Sequence, residues 1–149
     1  MELNITLPTA PAKGGIYSPA REFGDNLVYL SGCGPNLVGE APYAGKLGKE
    51  YSLEEGQQAA RCCALNLLAV LQRELGDLGR VKRIAKVLAL VACTDDFYDH
   101  PKVANAASQL FVDVFGEEVG LGARSAIGTN ALPGNIPVEI ELLIEVWPK

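Results

Sequence analysis

Hydrophobic and polar positions alternate most cleanly near the C-terminus, where Val138, Ile140, Leu142, Ile144 and Val146 are separated by Glu139, Glu141, Leu143 and Glu145. A period of two predicts a strand with one face buried and the other mostly polar. Ahead of it, Leu132-Pro133-Gly134-Asn135 combines a fixed φ, a residue tolerant of positive φ and a local side-chain hydrogen bonder, so the chain reverses there. Residues Ala123 to Val146 therefore read as a buried hairpin, with Ser125 to Asn130 as its first strand. Arg124 sits at the mouth of that strand and Glu139 near the start of the second.

Upstream the period changes. Ala60, Cys63, Ala64, Leu67, Leu68, Leu71 and Leu75 recur at intervals of three and four, one apolar helical face. Ser52-Leu53-Glu54-Glu55 opens that helix as a capping box, and Gly76 is placed to close it in a left-handed cap. Val81 to Cys93 predicts a strand, and its nearly continuous apolar stretch from Val87 implies cover on both faces. His100-Pro101 starts a second helix, with Val103, Ala106, Ala107, Leu110, Phe111, Val114 and Phe115 toward the core before Gly116. Asn26 to Ser31 is a short apolar strand stopped by Gly32-Cys33-Gly34-Pro35, where the backbone can turn sharply and approach a ligand closely. Leu3, Ile5 and Leu7 alternate and suggest an edge strand, while Gly14 to Pro19 is a turn-rich segment with Tyr17 at a bend. The order strand, strand, helix, strand, helix, strand, strand suits an α+β fold, a mixed sheet with two helices on one face.

Length keeps this to one domain over residues 1–149, of which 48% are hydrophobic. No basic and apolar leader opens the chain and no apolar run approaches the roughly 20 residues of a membrane helix, which predicts a cytoplasmic protein with no membrane partner. A net charge of -5, with dispersed basic residues, argues against nucleic acid as a partner. Cys33, Cys62, Cys63 and Cys93 have neither zinc nor disulfide-scaffold spacing and read as reduced thiols. Gly45-Lys46 lacks the first glycine and the following Ser/Thr of a phosphate loop.

Several segments together resemble one family. Ala123-Arg124-Ser125, Leu132-Pro133 and Val138-Glu139-Ile140-Glu141 match in type and interval the C-terminal signature of the RidA/YjgF reactive intermediate deaminases. Gly15-Ile16-Tyr17 and Val28-Tyr29-Leu30-Ser31-Gly32 fall where that family has its Gly-x-Tyr and Val-x-x-Ser-Gly segments. The resemblance implies a chorismate-mutase-like fold, a homotrimer with sites in the clefts between subunits, and a small carboxylate ligand, a 2-imino or 2-keto acid. It implies hydrolysis of enamine or imine acids, a reaction for which neither metal nor organic cofactor is required. Cys33 stands where the family commonly has glutamine and Ala126 where it often has cysteine, the mark of a divergent branch.

Arg124 is the leading candidate, because a guanidinium fork matches a carboxylate bidentately; its alternative is a surface ion pair with a nearby glutamate. The resemblance assigns Arg124 the substrate carboxylate and Glu139 the attacking water. Tyr17 is either a carboxylate or proton-relay group or a plug at the core edge. Ser31 is a partner for nitrogen or water, Cys33 lines the same turn, and Asn105 aligns with a family asparagine across a gap. A thiol nucleophile built from Cys33 with His100, the single histidine, lacks a third orienting group. Glu141 and Glu145 read as solvent-facing strand carboxylates, and a trimer that binds small carboxylates without turnover is the alternative to the enzyme.

Overall fold

The long helix, α1 (Leu53–Leu75), begins as its sequence requires. The Ser52 hydroxyl accepts from the Glu55 amide at 3.2 Å while Glu55 reaches back to the Ser52 amide at 2.7 Å, so both halves of the capping box are made. Gly76 closes the helix at φ +81°, a conformation that costs glycine nothing. The second helix, α2 (His100–Phe115), carries Pro101 in its first turn, and a short α3 (Glu117–Gly120) follows it. This computed structural model describes residues 3–149. None of its helices is long and apolar enough to cross a membrane.

Among the described residues five strands form one mixed sheet: β1 (Ala20–Phe23), β2 (Leu27–Cys33), β3 (Val81–Ala92), β4 (Ala123–Thr129) and β5 (Val138–Val146). Their order across the sheet is β1-β2-β5-β3-β4, with every pair antiparallel except β3 and β4. The α+β class and the packing of helices on the sheet thus agree with the sequence pattern. The N-terminal edge strand, however, is Ala20–Phe23, and residues 3–7 form none. The AREF segment carries no alternation from which it could be read.

The hairpin reading is corrected. β4 is bonded to β3 in parallel, Arg124 opposite Val87, and β5 lies on the far side of β3, Leu142 opposite the same Val87. The chain does reverse at Pro133–Asn135, but it crosses over β3 before it pairs. The physical reason is burial. Ile140, Leu142 and Ile144 are entirely or almost entirely enclosed and need hydrogen-bonded neighbours on both sides, which a terminal hairpin cannot supply.

The core lies between the sheet and the two long helices, around Leu30, Leu67, Leu71, Phe111, Ile140 and Ile144. Cys63 packs there, its thiol donating to the Val138 carbonyl at 3.4 Å. The other face of the sheet is open. Val87, Ala89 and Val91 are buried beneath the helices, whereas Leu88 and Leu90, expected to be covered as well, are only half-buried, and Tyr29 and Ile127 are exposed.

Candidate functional site

A break in strand pairing creates the main cavity. The register of β2 against β5 shifts between Leu30 and Cys33, so Ser31 and Gly32 leave the ladder and bend away. The space, about 610 Å³, lies between the lead-in segment, the end of β2, α1 and the start of β5. Tyr17, Ser31, Cys33 and Glu139 all line it, bringing together four of the residues singled out in the sequence.

Their hydrogen bonds define what each can offer. Ser31 Oγ donates to the Ser18 carbonyl at 2.7 Å, which leaves its lone pairs to accept from a ligand N–H or from water. Tyr17 Oη accepts from the Gly14 amide at 2.8 Å, leaving its proton to donate. Glu139 is half-buried with its carboxyl flat against Gly32, where an added Cβ would come within 3.0 Å of Cδ. Burial, and after it the charge of Glu141, pushes the Glu139 carboxyl above its ordinary range.

Cys33 is no nucleophile in this setting. Burial, reinforced by Glu139, pushes its thiol up to about 11. His100 is not its partner either, because the imidazole Nε2 lies 3.3 Å from the sulfur of Cys93.

Arg124 and Asn105 lie elsewhere, in a shallower cavity of about 530 Å³ between α2 and the edge strand β4. Arg124 Nη1 donates to Asn105 Oδ1 at 2.8 Å and to Ser108 Oγ at 3.2 Å. Among the described residues no carboxylate lies within 4.0 Å of Arg124, so the surface ion pair considered as its alternative is absent. A full positive charge is thereby aimed by neutral acceptors, with guanidinium N–H groups left over for an anion.

Within one chain the two candidate residues do not meet. Glu139 is opposite Leu90, three residues along β3 from the Val87 that faces Arg124. They are separated by roughly 10 Å along the strands and by the width of β3 between them. Arg124 leans toward α2 on the helical side of the sheet, whereas Glu139 projects on the open side with Glu141 and Leu143.

Four residues at these cavities escape the sequence reading. Ser108 is one turn from Asn105 on α2 and shares its face, a relation that helical periodicity makes visible. Glu141 lines the main cavity rather than facing solvent alone, and takes a hydrogen bond from Tyr29 Oη at 3.0 Å. Lys13 also lines it, from a segment with no regular structure. Asn66, 1% exposed, donates from Nδ2 to the Gly34 and Asn36 carbonyls at 3.0 Å and so holds the turn after β2. Among the described residues no three His, Cys, Asp or Glu side chains are grouped to hold a metal.

Comparison with known proteins bears on what these groups do. Residues 2–146 match the family model described as "YjgF/chorismate_mutase-like, putative endoribonuclease". The chain is 43% identical over 145 residues to protein TCP17 of Trypanosoma cruzi, covering 97% of this chain and 89% of that one. It is 30% identical over 143 residues to the 2-iminobutanoate/2-iminopropanoate deaminase of Dermatophagoides farinae, covering 95% and 94%. Its structure is similar to that of Atu1372 from Agrobacterium tumefaciens, with a TM-score of 0.86, 36% identity and coverage of 96% and 86%.

Proposed function

Because this chain belongs to the YjgF/chorismate-mutase-like family, we propose that it is a deaminase hydrolysing reactive 2-imino or enamine acids, such as 2-aminoacrylate and 2-iminobutanoate, to 2-keto acids and ammonia. One observation carries the reading. Arg124 presents an oriented cation at one edge of the subunit, unpaired with any carboxylate among the described residues, and Glu139 lines a cavity on the opposite face. Each is half of a site.

A homotrimer unites them. The open face, with half-buried Leu88, Leu90 and Leu143 and exposed Tyr29 and Ile127, supports contact with further copies, since an exposed apolar patch costs free energy until covered. Across such a contact Arg124 of one subunit grips the substrate carboxylate beside the Glu139 cavity of the next. Asn105 and Ser108 hold the guanidinium, Tyr17 donates toward the substrate, and Ser31 accepts from its nitrogen or from water. The chemistry needs little beyond orientation, one proton source and one water. RNA cleavage has less support, given 18 acidic residues against 13 basic ones.

The test is ammonia or keto-acid release from freshly generated 2-aminoacrylate and 2-iminobutanoate, with the wild type beside Arg124→Ala. Acceleration that disappears in the variant supports the deaminase and its anchor. Saturable pyruvate binding without acceleration overturns it in favour of a trimer that holds small carboxylates.

A further inference from the structure

Glu141 stands two residues beyond Glu139 on β5, so the two carboxylates project from one face with Cα atoms roughly 7 Å apart, and both line the cavity. Their surroundings differ. Glu141 accepts from Tyr29 Oη at 3.0 Å, a donor that fixes the direction of its carboxyl. Glu139 rests on the backbone of Gly32, where no side chain intervenes. That setting favours a neutral carboxyl.

We infer that Glu139 and Glu141 act as an unequal pair, in which Tyr29 holds Glu141 in place beside Glu139 and Glu139 carries the proton that the enamine takes up. The inference rests on the deaminase reading and gives Glu141 the part of a positioning residue. The titratable groups that accompany Glu139 in the cavity are Tyr17 and Lys13 from the lead-in, Cys33 from β2 and Glu141 itself. From β3 the residues opposite the pair are Leu88 and Leu90, and the nearby Lys86 donates its ammonium to Ser125 Oγ at 2.8 Å. On α1, Arg73 is committed to Glu74 at 2.9 Å and to the Pro11 carbonyl. Glu141 is thus the charge best placed to act on Glu139, and the same Tyr29–Glu141 bond pushes the Tyr29 phenol upward.

The proton cycle closes. Glu139 delivers its proton to C3 of 2-aminoacrylate, the C=C pair forming the new C–H bond while the nitrogen lone pair forms an iminium C=N. Water then bonds to C2 as the C=N pair returns to nitrogen, and Glu139 takes the water proton. Glu139 passes that proton to nitrogen, the C2–N bond breaks with its electron pair leaving on ammonia, and the C2 hydroxyl proton returns to Glu139 as the keto group forms. Glu139 ends as it began, protonated.

Two readouts on the intact, assembled protein test this. Carboxyl-carbon NMR of glutamate-labelled protein should place the Glu139 midpoint lower in Glu141→Gln than in the wild type, with Glu141→Asp restoring it. The high-pH limb of kcat/KM for 2-aminoacrylate should move downward in Glu141→Gln and return in Glu141→Asp. An unmoved midpoint overturns the pair, and a moved midpoint with an unmoved limb overturns its part in catalysis. A wild type without turnover sinks the deaminase reading, while the titration still decides whether Glu141 acts on Glu139.

Discussion

Among the described residues Arg124 carries its charge with no carboxylate within 4.0 Å, which makes its replacement informative. Arg124→Lys keeps the charge but loses the planar fork that Asn105 and Ser108 orient, so kcat/KM should fall about 10²-fold, and Arg124→Ala should lose still more. Melting temperature should hardly change in either, because the guanidinium is half exposed at a sheet edge. Glu139 acts on stability instead, through its proton. Its folded-state carboxyl binds a proton more tightly than in the unfolded chain, so its unfavourable contribution is absent below the ordinary carboxylate range. That contribution grows as pH rises through the raised folded value, and it persists above. Glu139→Gln should therefore melt with the wild type at about pH 3 and be more stable at about pH 8, by under about 1 kcal/mol after screening, while losing activity. Thermal melts at the two pH values check the sign.

Among the elements, α1 draws on both of its caps. Ser52→Ala removes the acceptor for the Glu55 amide and should cost about 1 kcal/mol, read as a lower denaturant midpoint with unchanged slope. The α2–α3 corner is tighter. A Cβ at Gly120 would collide with the Phe111 carbonyl, and backbone cannot step aside as a side-chain tip can. Gly120→Ala should cost about 1–3 kcal/mol and, by displacing the entry to β4, weaken substrate binding through Arg124. A raised KM together with a lowered melting temperature is the expected result. Both helices were legible in the sequence because period and terminating glycine agree with the start signal, a capping box in α1 and a first-turn proline in α2. Ala20–Phe23 was not, since a four-residue edge strand with three exposed positions needs no pattern.

At the scale of the whole molecule, the open sheet face and the divided site make one prediction together. Leu90→Asp introduces a charge where Leu90 lies opposite Glu139 on that face, and should convert the proposed trimer to smaller species by light scattering. Turnover should fall with it, although the cavity and Arg124 remain within each chain. A variant that is monomeric and fully active would refute a site completed between copies. Four of the six residues chosen from sequence share one cavity and two share the other. The separation follows from β3, which enters the sheet between the strands that carry Arg124 and Glu139.

Local chemistry in the sequence determined where the two long helices begin and which face of the last strand turns inward. These depend on intervals of two to four residues, where sterics and hydrogen bonding act without distant partners. The neighbours of each strand, the crossing of β3, and the choice between Cys33 and Cys93 as partner of His100 were decided only by tertiary structure. Alternation says which face of a strand is buried but not which strand lies beside it, and that choice is made by the whole core closing at once.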